Sequence, residues 1–101
     1  MITKEQFFDR VSHLPKTIVS KTKTASYEIY HLEDEILHFR RVNTNKMWQL
    51  NIRQLYDIYS TNSFINTTVI KKITKARVNS PSVAILIGTN CIDIIGNRIE
   101  S

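Results

Sequence analysis

Apolar residues fall at helical spacing near the start of the chain, at alternating spacing in the middle, and at helical spacing again further on. Phe7, Phe8, Val11 and Leu14 form the first helical stripe. Thr3 stands three residues before Gln6, the capping-box spacing, so a helix starts after Thr3. Pro15 has no N–H to donate and disfavours helix in the residue before it, so the helix ends there. Residues 16–26 are rich in Thr, Ser and Lys, with Ile18 and Val19 as apolar anchors. They read as a connection with room for a short edge strand around residues 17–20.

Residues 26–32 and 35–42 are rich in Ile, Tyr, Phe and Val and read as paired strands. Taking Glu33, Asp34 and Glu35 as a three-residue loop sets Leu32 against Ile36 and Ile29 against Phe39. One face then carries Tyr27, Ile29, Leu37 and Phe39. The other carries Glu28, Tyr30, His38 and Arg40, with Glu28 opposite Arg40 as a favourable cross-strand pair. A third strand over residues 46–50 follows the turn at Asn43, Thr44 and Asn45. Pairing Val42 with Met47 places Leu50 beside Phe39 and Trp48 beside Arg41, within reach of a cation–π contact.

Helical spacing returns at Ile52, Leu55, Tyr56 and Tyr59, behind the Asn51/Gln54 cap signal, and the polar run 60–63 closes that helix. Asn66 caps a further expected helix over residues 66–78, with Val69, Ile70 and Ile73 on its apolar side and Ala76 at the margin. Ser80 and Pro81 open a last helix that is apolar nearly all round and closes at Gly88, so it should be buried. Residues 91–99, with Gly96 and Asn97 as a tight turn, suit a short hairpin or a single terminal strand. The expected fold is α+β: an N-terminal helix, a three-stranded antiparallel meander, two to three C-terminal helices and a short terminal strand or hairpin.

Composition narrows the classes. At 101 residues, 42% hydrophobic and 23% charged, the chain suits one small globular domain, 1–101, with one core. Cys91 is the single cysteine, which excludes an internal disulfide and a multi-thiolate zinc site and fits a reducing, cytoplasmic setting. The apolar run 83–87 is far too short to span a bilayer, so no membrane partner is expected. Phosphate-cradling glycine loops and the G-x-S-x-G elbow are absent from the sequence, and no acidic residue stands two before a lysine on an expected strand. The carboxylates at 33–35 sit at a hairpin tip, where no burial tunes them for acid–base work. The expectation is that the protein is not an enzyme and needs no cofactor.

Basic charge is the broad functional signal. Formal net charge is +5, and no acidic residue occurs between Asp57 and Asp93. Lys71, Lys72, Lys75 and Arg77 fall inside one expected helix. At about 100° per residue, Lys71, Lys72 and Lys75 share an arc of roughly 100° opposite the apolar stripe. Thr67 and Thr68 sit in its first turn, where hydroxyls and free N–H groups suit phosphate oxygens. Arg40 and Arg77 are secondary candidates, with Arg77 near enough the apolar stripe to pair internally. Lys16, Lys21, Lys23 and others lie in further acid-free stretches. The expected function is a small basic module that binds DNA or RNA through this helix face. The alternative is a protein-interaction or homodimerising domain that uses Ile85, Leu86, Ile87, Ile92, Ile94, Ile95 and Ile99.

Other features carry less. In element order alone, residues 51–99 resemble winged-helix DNA-binding domains, which implies residues 66–78 as the recognition helix, since residues 83–87 offer no base-contacting groups. The α-β-β-β-α opening is similar in order to double-stranded-RNA-binding domains, without the glycine-rich lysine motif of their final helix. Tyr30 and His38 beside Arg40 suit a base-stacking face if the sheet is open, or a packed face if a helix covers it. His31 and His38 bracket the acidic turn. A three-residue loop puts them on different faces, and no spaced Cys/His motif is present, so no metal site is expected.

Overall fold

A computed structural model of the chain describes residues 1–74 and 78–99. The elements are α1 (Lys4–Ser12), β1 (Thr17–Val19), β2 (Ser26–Glu33), β3 (Ile36–Arg41), β4 (Lys46–Asn51), α2 (Ile52–Thr61), α3 (Thr67–Ile73) and α4 (Asn79–Gly88). The fold is α+β as the pattern implies, but the sheet has four antiparallel strands, not three, in the order β1-β2-β3-β4. The additional strand is β1, the short edge strand for which residues 17–20 left room; Ile18 is its buried side chain, and Val19 faces outward.

Capping at α1 follows the residue types. Thr3 accepts a hydrogen bond from the Gln6 backbone N–H, and the Gln6 side chain accepts one from Thr3 N–H. Phe7 and Val11 are buried, and Phe8 and Leu14 pack at the edge of the core. Phe7 stacks on Tyr59 of α2 at 6.2 Å. Both α2 tyrosines hold the N-terminus: Ile2 N–H donates to Tyr59 Oη, and the Tyr56 hydroxyl donates to the Ile2 carbonyl.

Register in the sheet differs from expectation in two places. The β2–β3 loop has two residues, Asp34 and Glu35, both at positive φ (51° and 68°), the conformation of a primed hairpin turn. Leu32 therefore faces Leu37 rather than Ile36. An irregularity between Ile29 and His31 then shifts the ladder, so Ile29 opposite Phe39 and Glu28 opposite Arg40 hold as expected. In the next hairpin the pairing is displaced by two residues. Phe39 faces Trp48, Leu37 faces Leu50 and Arg41 faces Lys46, so Trp48 is not registered against Arg41. An even displacement leaves every side chain on its face. Tyr27, Leu37, Phe39 and Leu50 accordingly line the core with Leu55, Ile58, Ile65, Ile85 and Leu86 from the helical half of the chain.

The C-terminal third departs further. α3 ends at Ile73, since Thr74 is already extended at its C-cap, and residues 75–77 of the expected helix over 66–78 lie outside the described residues. Only Ile70 of its apolar side is buried, and Ile73 is 48% exposed. α4 starts two residues before Pro81, and residues 81–86 are all buried, as an all-round apolar helix requires. Among the described residues no terminal hairpin strand forms. Residues 92–98 make only isolated bridges, Ile92 with Arg98 and Phe64 with Asn97. The likeness to winged-helix domains in element order therefore lacks its wing, and the four-stranded sheet departs from the α-β-β-β-α order.

Candidate nucleic-acid interface

The β1–β2 loop is built around Ser20. Ser20 N–H donates to the Ala25 carbonyl at 2.9 Å, Ala25 N–H donates back to Ser20 Oγ at 3.2 Å, and Lys23 N–H donates to the Ser20 carbonyl at 2.9 Å. Ser20 and Ala25 are buried, while Lys21, Thr22, Lys23 and Thr24 are exposed. Lys23 turns the chain at φ 62°. A buried hydroxyl thus closes the loop from below and leaves two lysines on its outer side.

That loop lies against the start of α3. Lys21, Thr22, Asn66, Thr67, Ser80 and Val83 line one cleft of about 300 Å³. Asn66 caps α3 by accepting from Val69 N–H at 2.9 Å. Thr67, Thr68, Lys71 and Lys72 are all exposed, and neither Lys71 nor Lys72 makes an ion pair among the described residues. Lys21 Nζ reaches the Ile95 carbonyl at 3.4 Å, a long contact that leaves its charge uncompensated. The fold thus brings Thr67 together with Lys21 and Thr22, a neighbourhood that spacing along the chain could not reveal. Its only sequence signal was the repeated Lys-Thr at 21–24. Lys75 and Arg77 lie outside the described residues.

Arg40 stands apart, on the sheet face that points away from the core. It donates to Tyr30 Oη at 3.1 Å and to Asn45 Oδ1 at 2.9 Å, and it pairs with Glu28 at 3.4 Å. A hydrogen bond from Tyr30, with the Arg40 charge adding to it, holds the Glu28 carboxyl below its ordinary range against the opposing effect of burial. The same hydroxyl raises Arg40. Arg40 is engaged as a cross-strand partner within the sheet.

Other arginines also have internal work. Arg10 donates to the Thr89 carbonyl beyond α4, and Arg98 donates to the Tyr59 and Ser60 carbonyls in the last turn of α2. The uncommitted cations of this surface are lysines. The face carrying Glu28, Tyr30, His38 and Arg40 is not sealed by a helix: Tyr30 is 43% and Met47 57% exposed.

Cys91 is buried, burial pushes its thiol up, and Thr89 donates to its sulfur at 3.3 Å. No described helix is long and apolar enough to cross a membrane. No protein-family model, curated protein or solved structure matches this chain.

Proposed function

We propose that this chain is a small non-enzymatic module that binds the phosphate backbone of DNA or RNA. The contact surface is the β1–β2 loop and the exposed side of α3. The observation that carries this reading is the shared cleft of Lys21, Thr22 and Thr67 beside the unpaired Lys71 and Lys72. Lysines contact phosphates as point charges and release condensed counterions, so binding is tolerant of sequence and sensitive to salt. Thr67 and Thr68 add hydroxyl donors at the rim. A reduced single thiol fits a cytoplasmic setting.

Fluorescence anisotropy with labelled duplex and single-stranded oligonucleotides at low salt tests it. Lys71→Glu/Lys72→Glu and Lys21→Glu should each weaken binding by a similar factor for every sequence. Equal affinity of the wild type and the charge-reversed proteins would remove the proposal.

A second reading, interaction with a protein or a second copy of the chain, has its own observation. Ile94 and Ile95 are 57% and 62% exposed on the 93–97 turn, and Phe64, bridged to Asn97, is 42% exposed. The rest of the C-terminal apolar surplus does not contribute: Ile85, Leu86 and Ile92 are buried, and Ile87 and Ile99 are half-buried. A salt-insensitive dimer in sedimentation, dispersed by Ile95→Asp and without affinity for oligonucleotides, would favour this reading over the first.

A further inference from the structure

The two-residue turn has a chemical result that the three-residue loop did not. It places His31 directly opposite His38, and Glu33 lies two residues from His31 on the same face. The imidazole rings stack with centroids 4.4 Å apart and planes at 15°. His31 Nε2 is 3.5 Å from Glu33 Oε2. One donor atom from each of the three side chains lies within 4.8 Å of the other two.

We propose that His31, Glu33 and His38 form a binding site for a divalent transition-metal ion of the Zn²⁺ class. Two imidazole nitrogens and one carboxylate oxygen are the donor set that Zn²⁺ takes, and Cu²⁺, Ni²⁺ and Co²⁺ accept the same donors. Around a tetrahedral ion with bonds of about 2.1 Å, donors stand about 3.4 Å apart. The His31–Glu33 separation already meets that spacing. The remaining separations, within 4.8 Å, must close by side-chain rotation. The rings must also tilt out of their stack, because lone pairs of parallel rings do not converge. His31 and Glu33 side chains are 56% and 68% exposed and have room to turn, while His38 is half-buried and supplies the more fixed donor.

The backbone beneath is fixed. All three residues stand on paired strands of the sheet interior to the turn, and Ile52 N–H donates to the Glu35 carbonyl at 2.9 Å, pinning the turn to the start of α2. The acidic turn favours a cation. Asp34 and Glu35 are exposed in it, Arg40 on the same face is already compensated by Glu28, and Lys16 in the adjoining cleft is the opposing charge. Three protein donors leave a coordination position for water or an exogenous ligand. His31 also lines a cleft of about 490 Å³ with Lys16, Tyr30 and Leu32, which gives such a ligand a place beside the ion.

Titration of the full chain with Zn²⁺ by calorimetry, and with Co²⁺ by visible absorption, tests the site. The expected result is one saturable equivalent at micromolar metal, with Co²⁺ bands of low-coordinate intensity. His31→Asn and His38→Gln should each weaken binding on the order of tenfold or more, since even an outer-shell partner is worth that much. Glu33→Gln should weaken it less. Lys71→Glu, remote from the hairpin, should leave it unchanged, which separates this site from the polyanion surface. Absence of saturable binding, or an equivalent that survives both histidine substitutions, would overturn the proposal.

Discussion

Asp93 shows how one side chain can hold a segment that has no regular structure. Its carboxylate accepts from the backbone N–H groups of Asn97, Gly96 and Ile95 at 2.9, 2.9 and 3.0 Å, closing the 93–97 turn. The Asn97 backbone bond leads these in lowering the Asp93 pKa from its ordinary 3.8, with burial opposing. A carboxyl depressed in the folded state stabilises the fold above its unfolded pKa, and that contribution is lost as pH falls through the lower folded value. Thermal unfolding from pH 7 to about pH 2 should therefore show a loss below the ordinary carboxylate range. Asp93→Asn should be less stable at pH 7 and flatter across that acid range, and an unchanged acid profile would refute the role. Gly96 sits in the same turn at φ +117°, and a Cβ there would meet the Ile65 carbonyl oxygen at 2.5 Å. Gly96→Ala should lower stability by about 2 kcal/mol or more in urea denaturation, beyond the usual cost of forcing a side chain into positive φ. Cys91, protonated and enclosed, should react with a thiol reagent only as fast as the protein opens, so urea should accelerate labelling sharply.

At the scale of elements, the hairpin between β2 and β3 decides the most. Asp34 and Glu35 both occupy the left-handed region without being glycine. Glu35→Gly should raise stability by about 1 kcal/mol in chemical denaturation while leaving the His31–His38 register intact. A destabilised Glu35→Gly would mean that the turn is not of the primed type. The strands themselves were readable because Ile, Tyr and Phe alternate with Glu, His and Arg, and the face assignments of Tyr27, Leu37, Phe39, Glu28 and Arg40 follow from that alternation alone. Turn length was not readable. Glu-Asp-Glu has no glycine or asparagine to mark where φ turns positive, and one residue more or less in the loop decides whether His31 meets His38. The bulge at Tyr30 then restores the rest of the ladder, which is why the Glu28–Arg40 pair was anticipated from an incorrect loop. Caps were readable at Thr3, Asn51 and Asn66, each of which accepts from a backbone N–H three residues on. The end of α3 was not: residues 66–78 keep a helical apolar spacing, yet Ile73 finds no core to enter and the chain is already extended at Thr74.

Across the whole molecule, three arginines and four lysines take different parts. Arg10, Arg40 and Arg98 bind carbonyls or a carboxylate within the fold, whereas Lys21, Lys23, Lys71 and Lys72 project from the β1–β2 loop and α3. A guanidinium can satisfy two carbonyls at once, as Arg98 does, and an ammonium on a flexible stem is more freely left to solvent or to phosphate. Net charge and the acid-free stretch 58–92 were visible in the sequence, but the meeting of Lys21 with Thr67 depends on the loop closing over Ser20, a contact no local pattern encodes. The proposed binding rests on those lysines acting together on a polyanion. Its most direct test is the slope of log affinity against log salt concentration for a duplex oligonucleotide. Four lysine contacts predict a slope of about −3 to −4, reduced by about two in Lys71→Ala/Lys72→Ala. A slope near zero, or one that the double substitution leaves unaltered, would contradict it.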